Sequence, residues 1–486
     1  MKYILLLGIL LLASCQNTPY GVRDTGKEVK AFPDYEDVTI PYNVAPLDIS
    51  VEEDDTKSIS VEICNHENVM LLTKLWNGRD THWDIKEWHK ILEDCKGQTI
   101  QIVVTICKNN GEWERYNPIN IHVSADAIDQ YVTYRRIAPA YETFSAVGIY
   151  QRDITTFDEY TVTDCNELQY SCMNCHATRN GDSEDMILHV RGPHGGTIIK
   201  KGGKQKNYNT KTDYNINAFA YAYWHPEGRY IAFSTNTTRQ LFHAGEHDRI
   251  DVFDGASDVQ VFDTETDSVL SAPHIHTKHF ENFPAFSPCG KWLYYVHADS
   301  LPVPQKQDSL RYVLCKVSFD ANEGRIGEDI DILADKRAEG LSLSIPRPSP
   351  DGRYIMMSSL KYGNFPVWHP ASDLWMYDIQ RDTLYALEKA NSPYAEAYHN
   401  WSSNSKWAVV ASRRTDGLHT RLCIFHIDEK GEAGKAFLLP QRTPRETEDN
   451  DLRSYNCPEF EVNRMILDKG DLMKFYDKPL DRESVH

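Results

Sequence analysis

Two cysteines three residues apart with a histidine directly after the second, Cys172, Cys175 and His176, are the residues of this chain whose types and spacing name a chemistry. In an exported protein C-x-x-C-H is the attachment pattern of a c-type haem. Each thiol joins a vinyl group on one edge of the porphyrin, and the adjoining imidazole is carried under the iron as proximal ligand. The spacing leaves two other readings open. Cys165, Cys172, Cys175 and His176 make a candidate zinc knot, although structural zinc sites usually come as two separated ligand pairs. Cys172 and Cys175 can also close a disulfide outside the cytoplasm. For a sixth iron ligand, Met186, His189 and His194 are nearest in sequence, with His225, His243 and His247 further along. His194 is preferred, because Pro193 and Gly195-Gly196 make a loop able to approach a porphyrin face.

The compartment decides whether a haem is allowed. Lys2 precedes an apolar run from Tyr3 to Ala13, too short for a membrane span but the right length for the core of a signal peptide. Leu12-Ala13-Ser14-Cys15 resembles the bacterial lipobox, which implies cleavage before Cys15 and lipid on its thiol. No later stretch has the roughly 18 unbroken apolar residues of a membrane helix, so the body is expected to be soluble and tethered to the membrane by lipid. Residues 16–35 read as a flexible tether. The chain resembles lipoproteins of the Bacteroidetes, in which an acidic signal after the lipidated cysteine directs surface display; Gln16-Asn17-Thr18-Pro19 lacks it. That implies a cell-envelope protein on the outer membrane, facing the periplasm.

A formal charge of −19 over 486 residues excludes a nucleic-acid partner, since neutralising phosphates needs clustered Lys and Arg. Of eleven cysteines, Cys15, Cys172 and Cys175 are assigned and eight remain, an even number that permits pairing without demonstrating it. Cys107, Cys315 and Cys423 sit in apolar strand-like runs and read as buried thiols.

The elements that must hold the motif are most legible after residue 215. Three segments share a lead-in, a tight polar turn and a hydrophobic strand: His225-Pro226-Glu227-Gly228-Arg229-Tyr230, Ser287-Pro288-Cys289-Gly290-Lys291-Trp292 and Ser349-Pro350-Asp351-Gly352-Arg353-Tyr354. Trp401-Ser402-Ser403-Asn404-Ser405-Lys406-Trp407 is a degenerate fourth. Gly228, Gly290 and Gly352 fall 62 residues apart, a period that signals a repeated supersecondary unit. Pro presets one corner of the turn and Gly accepts positive φ at the other. Thr, Tyr and Val are frequent and long amphipathic helices are absent, which points to an all-β chain built around a β-propeller. The S-P-D-G-[KR] turn resembles the TolB-like, WD40-like propeller repeat over roughly residues 215 to 465. Tyr455-Asn456-Cys457-Pro458-Glu459-Phe460 opens a unit the chain is too short to finish, so strands before residue 215 are expected to complete it and close the ring. The expectation is five to seven blades, with six preferred, over residues 127–486, and the C-x-x-C-H in an insertion at 163–200. The block from Tyr134 to Gly196 is similar to Bacteroidetes propeller lipoproteins often labelled cytochrome c related, which implies a covalent haem c.

Residues 36–126 form a separate unit. Short strands at Val38–Ile40, Ser58–Ile63, Thr99–Cys107 and Ile119–Val123, with a helix from Ile85 to Leu92, suggest a β-sandwich of fibronectin or immunoglobulin type. Trp76, Trp83 and Trp113 read as its core rather than a carbohydrate platform. His274, His276 and His279 face either solvent or the central channel, and the polar loop from Arg239 to Arg249 belongs to a binding face. No G-x-S-x-G elbow, P-loop or dinucleotide fingerprint occurs, so an enzyme is not indicated. Two functions follow: a single-haem electron-transfer lipoprotein with a redox or envelope protein partner, or a propeller scaffold for protein contacts whose cysteines are structural.

Overall fold

The turn repeated at Gly228, Gly290 and Gly352 forms as its residue types require. In each, the glycine N–H bonds the carbonyl of the residue three before it, at 2.9, 2.9 and 2.8 Å, with φ of 79°, 71° and 74°. The computed structural model describes residues 19–138, 147–167, 171–191, 195–211, 215, 217–243, 250–468, 470 and 483–484. Each turn joins the two inner strands of an antiparallel four-stranded unit, and among the described residues six such units follow one another around a ring. The chain is a β-propeller.

The innermost strands are Cys172–Arg179, Phe219–Trp224, Phe280–Phe286, Ser342–Pro348, Glu396–Trp401 and Ser454–Glu461. The last pairs antiparallel with Tyr131–Ile137, so the first blade takes its inner strand from the end of the chain and its other three from the beginning. That is the closure expected from Tyr455 to Phe460. Apolar layers fill the gaps between blades: Met173, Met186 and Leu188 between the first and second, and Tyr354, Met376, Val410 and Phe425 between the fifth and sixth. Residues 172–209 are a regular blade rather than an insertion, with Cys172–Arg179, Asp182–Arg191, Gly196–Lys201 and Lys204–Asn209 paired in order.

Ahead of the ring, the four expected strands form at Val38–Pro41, Thr56–Cys64, Thr99–Lys108 and Ile119–Ser124. They join one mixed sheet with Met70–Asn77 and Trp113–Arg115, whereas a sandwich requires two facing sheets. The helix Ile85–Asp94 is capped by the Asp84 carboxylate, which accepts from the Lys86 and Glu87 N–H groups. Its Trp88 and Leu92 share an apolar cluster with Ile59, Val61 and Val104 of the sheet. The cluster continues into Trp407, Val409 and Ile424 of the sixth blade, so this unit is part of the propeller's core. The expected tether is also shorter, because Arg23–Asp24 pairs with residues 114–115 and Ala31–Phe32 with residues 50–51. Trp83 is buried, and the Trp76 ring packs on it edge to face at 4.7 Å, so both are core.

The glycines of two turns give a contrasting pair of expectations. A methyl group at Gly290 would collide with the buried His225 ring, whereas one at Gly352 meets no atom within 4 Å. Gly352→Ala is expected to cost about 1 kcal/mol from positive φ alone, and Gly290→Ala about 2–4 kcal/mol from φ and overpacking together. Urea denaturation checks the difference; equal losses would contradict the packing of His225 under the fourth blade's turn.

Candidate functional site

Each inner strand carries one residue at φ near +50°: Cys175 at 53°, Tyr221 at 51°, Phe283 and Ile345 at 49°, Tyr398 and Cys457 at 50°. At each of these residues the register with the neighbouring strand slips, which is the signature of a β-bulge. Positive φ is costly for side chains such as Ile, and it recurs here in all six blades. All six residues line one central cavity of about 480 Å³. A volume of this order suits a small organic ligand, for which pockets of roughly 300–1,000 Å³ are usual. Strands Tyr230–Phe242 and Ile250–Asp263 of the third blade extend beyond the ring and bring Thr238, Gln240 and Val252 onto the cavity wall. This hairpin is fastened to the fifth blade, where Asn364 Nδ2 donates to Asp254 and Tyr362 Oη to Asp251, both at 3.3 Å.

The C-x-x-C-H motif therefore lies on the wall of the central channel. Cys172, Cys175 and His176 all face the same cavity. Cys175 is the bulged residue between the pairs Asn174 with His189 and His176 with Leu188. Neither cysteine is in a disulfide. Burial pushes the Cys172 thiol up despite Arg135 and Arg191 beside it, and it pushes Cys457, on the adjoining strand, up to about 12. Thiols held protonated in this way are poor nucleophiles, which disfavours thiol–disulfide exchange. Among the described residues no three His, Cys, Asp or Glu groups stand in metal-binding geometry, so the zinc knot with Cys165 is not assembled there.

His176 is buried, and neither ring nitrogen makes a well-formed hydrogen bond, the Thr133 backbone offering a marginal one. Burial, with the Arg135 cation second, pushes the imidazole down to about 4, so it is neutral at ordinary pH. In haem-free protein the unfolded chain takes up this proton near 6.5, and the folded chain only near 4. Stability therefore falls as the pH drops through that window. Between pH 7 and 5 this group accounts for up to about 2 kcal/mol of the loss. Burial holds His189 and His399 lower still, near 3, and they add losses of the same sign. His176→Asn is expected to flatten the pH dependence in urea melts at the two pH values; an unchanged dependence would contradict a buried, neutral imidazole.

The candidate sixth ligands do not gather here. Met186 lies in the apolar layer between the first two blades, 1 % exposed and off the cavity wall, so packing replaces the ligand role expected of it. His189 Nδ1 meets Thr197 Oγ1 at 3.0 Å, and His225 Nε2 meets the Gly290 carbonyl at 3.0 Å. His243 lies beside Asp251 at 3.0 Å. His194 and His247 fall outside the described residues, as does most of the Arg239 to Arg249 loop. His276 and His279 stand 3.8 Å from Asp258 and Asp299, and neither lines the central cavity.

Sequence reasoning missed the rest of the wall: His399, Cys457, Glu459 and the arginines 135, 191, 347 and 413. His399 follows its bulge as His176 follows Cys175, and its Nε2 meets the Met356 carbonyl at 3.0 Å. Burial raises the Glu459 carboxyl to about 7. Glu459 and Arg347 also line a second cavity of about 280 Å³ toward the turn-bearing face. A repeat alignment would have found these residues. Tyr221, Phe283, Ile345 and Tyr398 each stand seven residues before Gly228, Gly290, Gly352 and Ser405, the same position of the following turn.

No protein-family model matches the sequence, and no curated protein matches it. Solved structures similar to it include the tricorn protease, at 12 % identity and a TM-score of 0.34 over 82 % of this chain. This chain spans only 43 % of the tricorn chain. The periplasmic gluconolactonase of Pseudomonas aeruginosa is 13 % identical, covering 64 % of this chain and 97 % of its own, with a TM-score of 0.34. The β-propeller domain of Cps50 from Myceliophteria thermophila is 9 % identical, covering 66 % and 90 %, with a TM-score of 0.36. The fold is read from the strand pairing itself.

Proposed function

We propose that this chain is a propeller lipoprotein of the bacterial cell envelope, of TolB-like type, that carries one covalent haem c in its central channel and passes electrons to a protein partner. The supporting observation is that two unbridged thiols and a neutral imidazole with unsatisfied nitrogens, all from one C-x-x-C-H, line one cavity of suitable size. Cys172 and Cys175 would hold the haem through thioethers and His176 would serve as its axial base. Bound there, the haem supplies a one-electron carrier. The chain's own contribution is environment. The bulge turns Cys175 into the channel, the third blade's hairpin adds Thr238, Gln240 and Val252 to its wall, and Arg135 places positive charge beside both thiols, a surrounding that sets redox potential. Haem retained by the full chain on a denaturing gel tests this reading.

The competing reading is a scaffold for protein contacts with structural cysteines, and the burial of Cys172, 9 % exposed, favours it. In either case the anchor is expected at Cys15, with the propeller facing the periplasm. Among the described residues no helix is long and apolar enough to cross a membrane. Cys15→Ser is expected to move the protein from the membrane pellet to the soluble fraction; unchanged fractionation would remove the lipid anchor.

A further inference from the structure

The charge of the central cavity runs against that of the protein. The chain carries a net −19, yet Arg135, Arg191, Arg347 and Arg413 line the cavity with Glu459 as the one acidic residue of the described wall. Arg135 Nε donates to Asn456 at 2.9 Å, and Arg413 lies 3.8 Å over the Trp368 ring. Arg347 sits over the Tyr223 ring at 5.3 Å. No carboxylate of the described residues stands within ion-pair distance of Arg347 or Arg191, although ion pairs are frequent elsewhere in the chain. With no carboxylate in ion-pair distance of Arg191 or Arg347, the positive charge of these two groups favours an incoming anion. Their planar forks suit carboxylates.

The same cavity also carries aromatic rings. Tyr221, Phe283 and Phe365 form an aromatic cluster, with centroids 4.5 Å apart for the first pair and 5.8 Å for the second, and Trp368 stands beside it. The cavity thus offers both ring faces and cations.

We propose that the central cavity is a receptor for the carboxylates of a flat, largely apolar molecule, gripped by Arg191 and Arg347 while its ring system lies against the aromatic wall. The inference rests on the cavity and not on thioether attachment at Cys172 and Cys175. Two sources share this chemistry: the propionates of a porphyrin and a free aromatic carboxylate.

The test uses the full chain produced without haem, titrated with protoporphyrin IX and with its dimethyl ester, and followed by porphyrin fluorescence. The diacid is expected to bind at least about tenfold more tightly than the ester, and Arg347→Gln or Arg191→Gln to erase most of that preference. Circular dichroism establishes that each variant is folded, and the acid-to-ester comparison in the unaltered protein needs no variant. Equal binding of acid and ester, or a preference untouched in both folded variants, overturns the proposal. 1-Naphthoate separates the sources. Binding with the same arginine dependence supports the receptor for free aromatic carboxylates, and no binding beside a clear diacid preference supports it for porphyrin propionates. A chain that retains no covalent haem yet prefers the diacid retires the haem reading and leaves this one standing. Covalent haem without the preference does the reverse.

Discussion

Protein made alongside a cytochrome c maturation system is expected to keep haem through a denaturing gel, and Cys172→Ala combined with Cys175→Ala is expected to lose it entirely. Thioethers survive denaturation and coordination bonds do not, so retention reports the two sulfurs alone. Either single substitution leaves one attachment and is expected to lower retention without abolishing it. His176→Ala separates the roles, since the band should stay on the gel while the absorption spectrum of the native protein changes. Cys457 supplies the control. It occupies the position in the first blade that Cys175 occupies in the second and faces the same cavity. Cys457→Ala should leave retention intact; loss there would mean that the sulfurs act as a group and the C-x-x-C spacing does not define the attachment.

Trp407→Ala is expected to destabilise the whole chain by about 3–5 kcal/mol. Trp407 is fully buried and packs edge to face on His426 at 4.8 Å. It belongs to the apolar cluster that joins the sixth blade to Ile59, Val61 and Val104 of the N-terminal sheet. Removing the indole leaves a cavity lined from two units, so they should lose stability together in a single urea transition. Trp292 is partly exposed, with Lys316 Nζ 4.3 Å from its ring, and Trp292→Ala should cost about 1 kcal/mol or less. Two separate transitions in the unaltered protein, or a Trp407→Ala loss confined to one of them, would contradict the shared core.

Local chemistry made the ring legible in advance. Pro, Asp and Gly at fixed places dictate a turn, and a 62-residue period repeats it. The strand ends at 454–461 were legible because a half-unit needs a partner. The setting of C-M-N-C-H was less so. Its blade has Asn180-Gly181 in the turn instead of a Pro-initiated one, so the repeat is masked and the motif reads as an insertion. Yet Asn180 and Gly181 both adopt positive φ, and the bulge at Cys175 falls in step with Tyr221 and Phe283. The arginine wall was out of reach for a different reason. Residues 135, 191, 347 and 413 come from four blades and meet only because the ring closes, which local propensity does not encode. The sandwich expectation failed on a similar point. Strand segments were recognisable from alternation, but their order in one sheet depends on which edges pair, and the Trp88 helix packs with that sheet in a common core.

A reduced-minus-oxidised absorption spectrum of the purified full-length protein, made with haem-attachment machinery present, bears most directly on the central claim. The account predicts the sharp paired bands of a c-type centre, lost in the Cys172→Ala, Cys175→Ala variant. A featureless difference spectrum, with both sulfurs titrating as free thiols after unfolding, would contradict it.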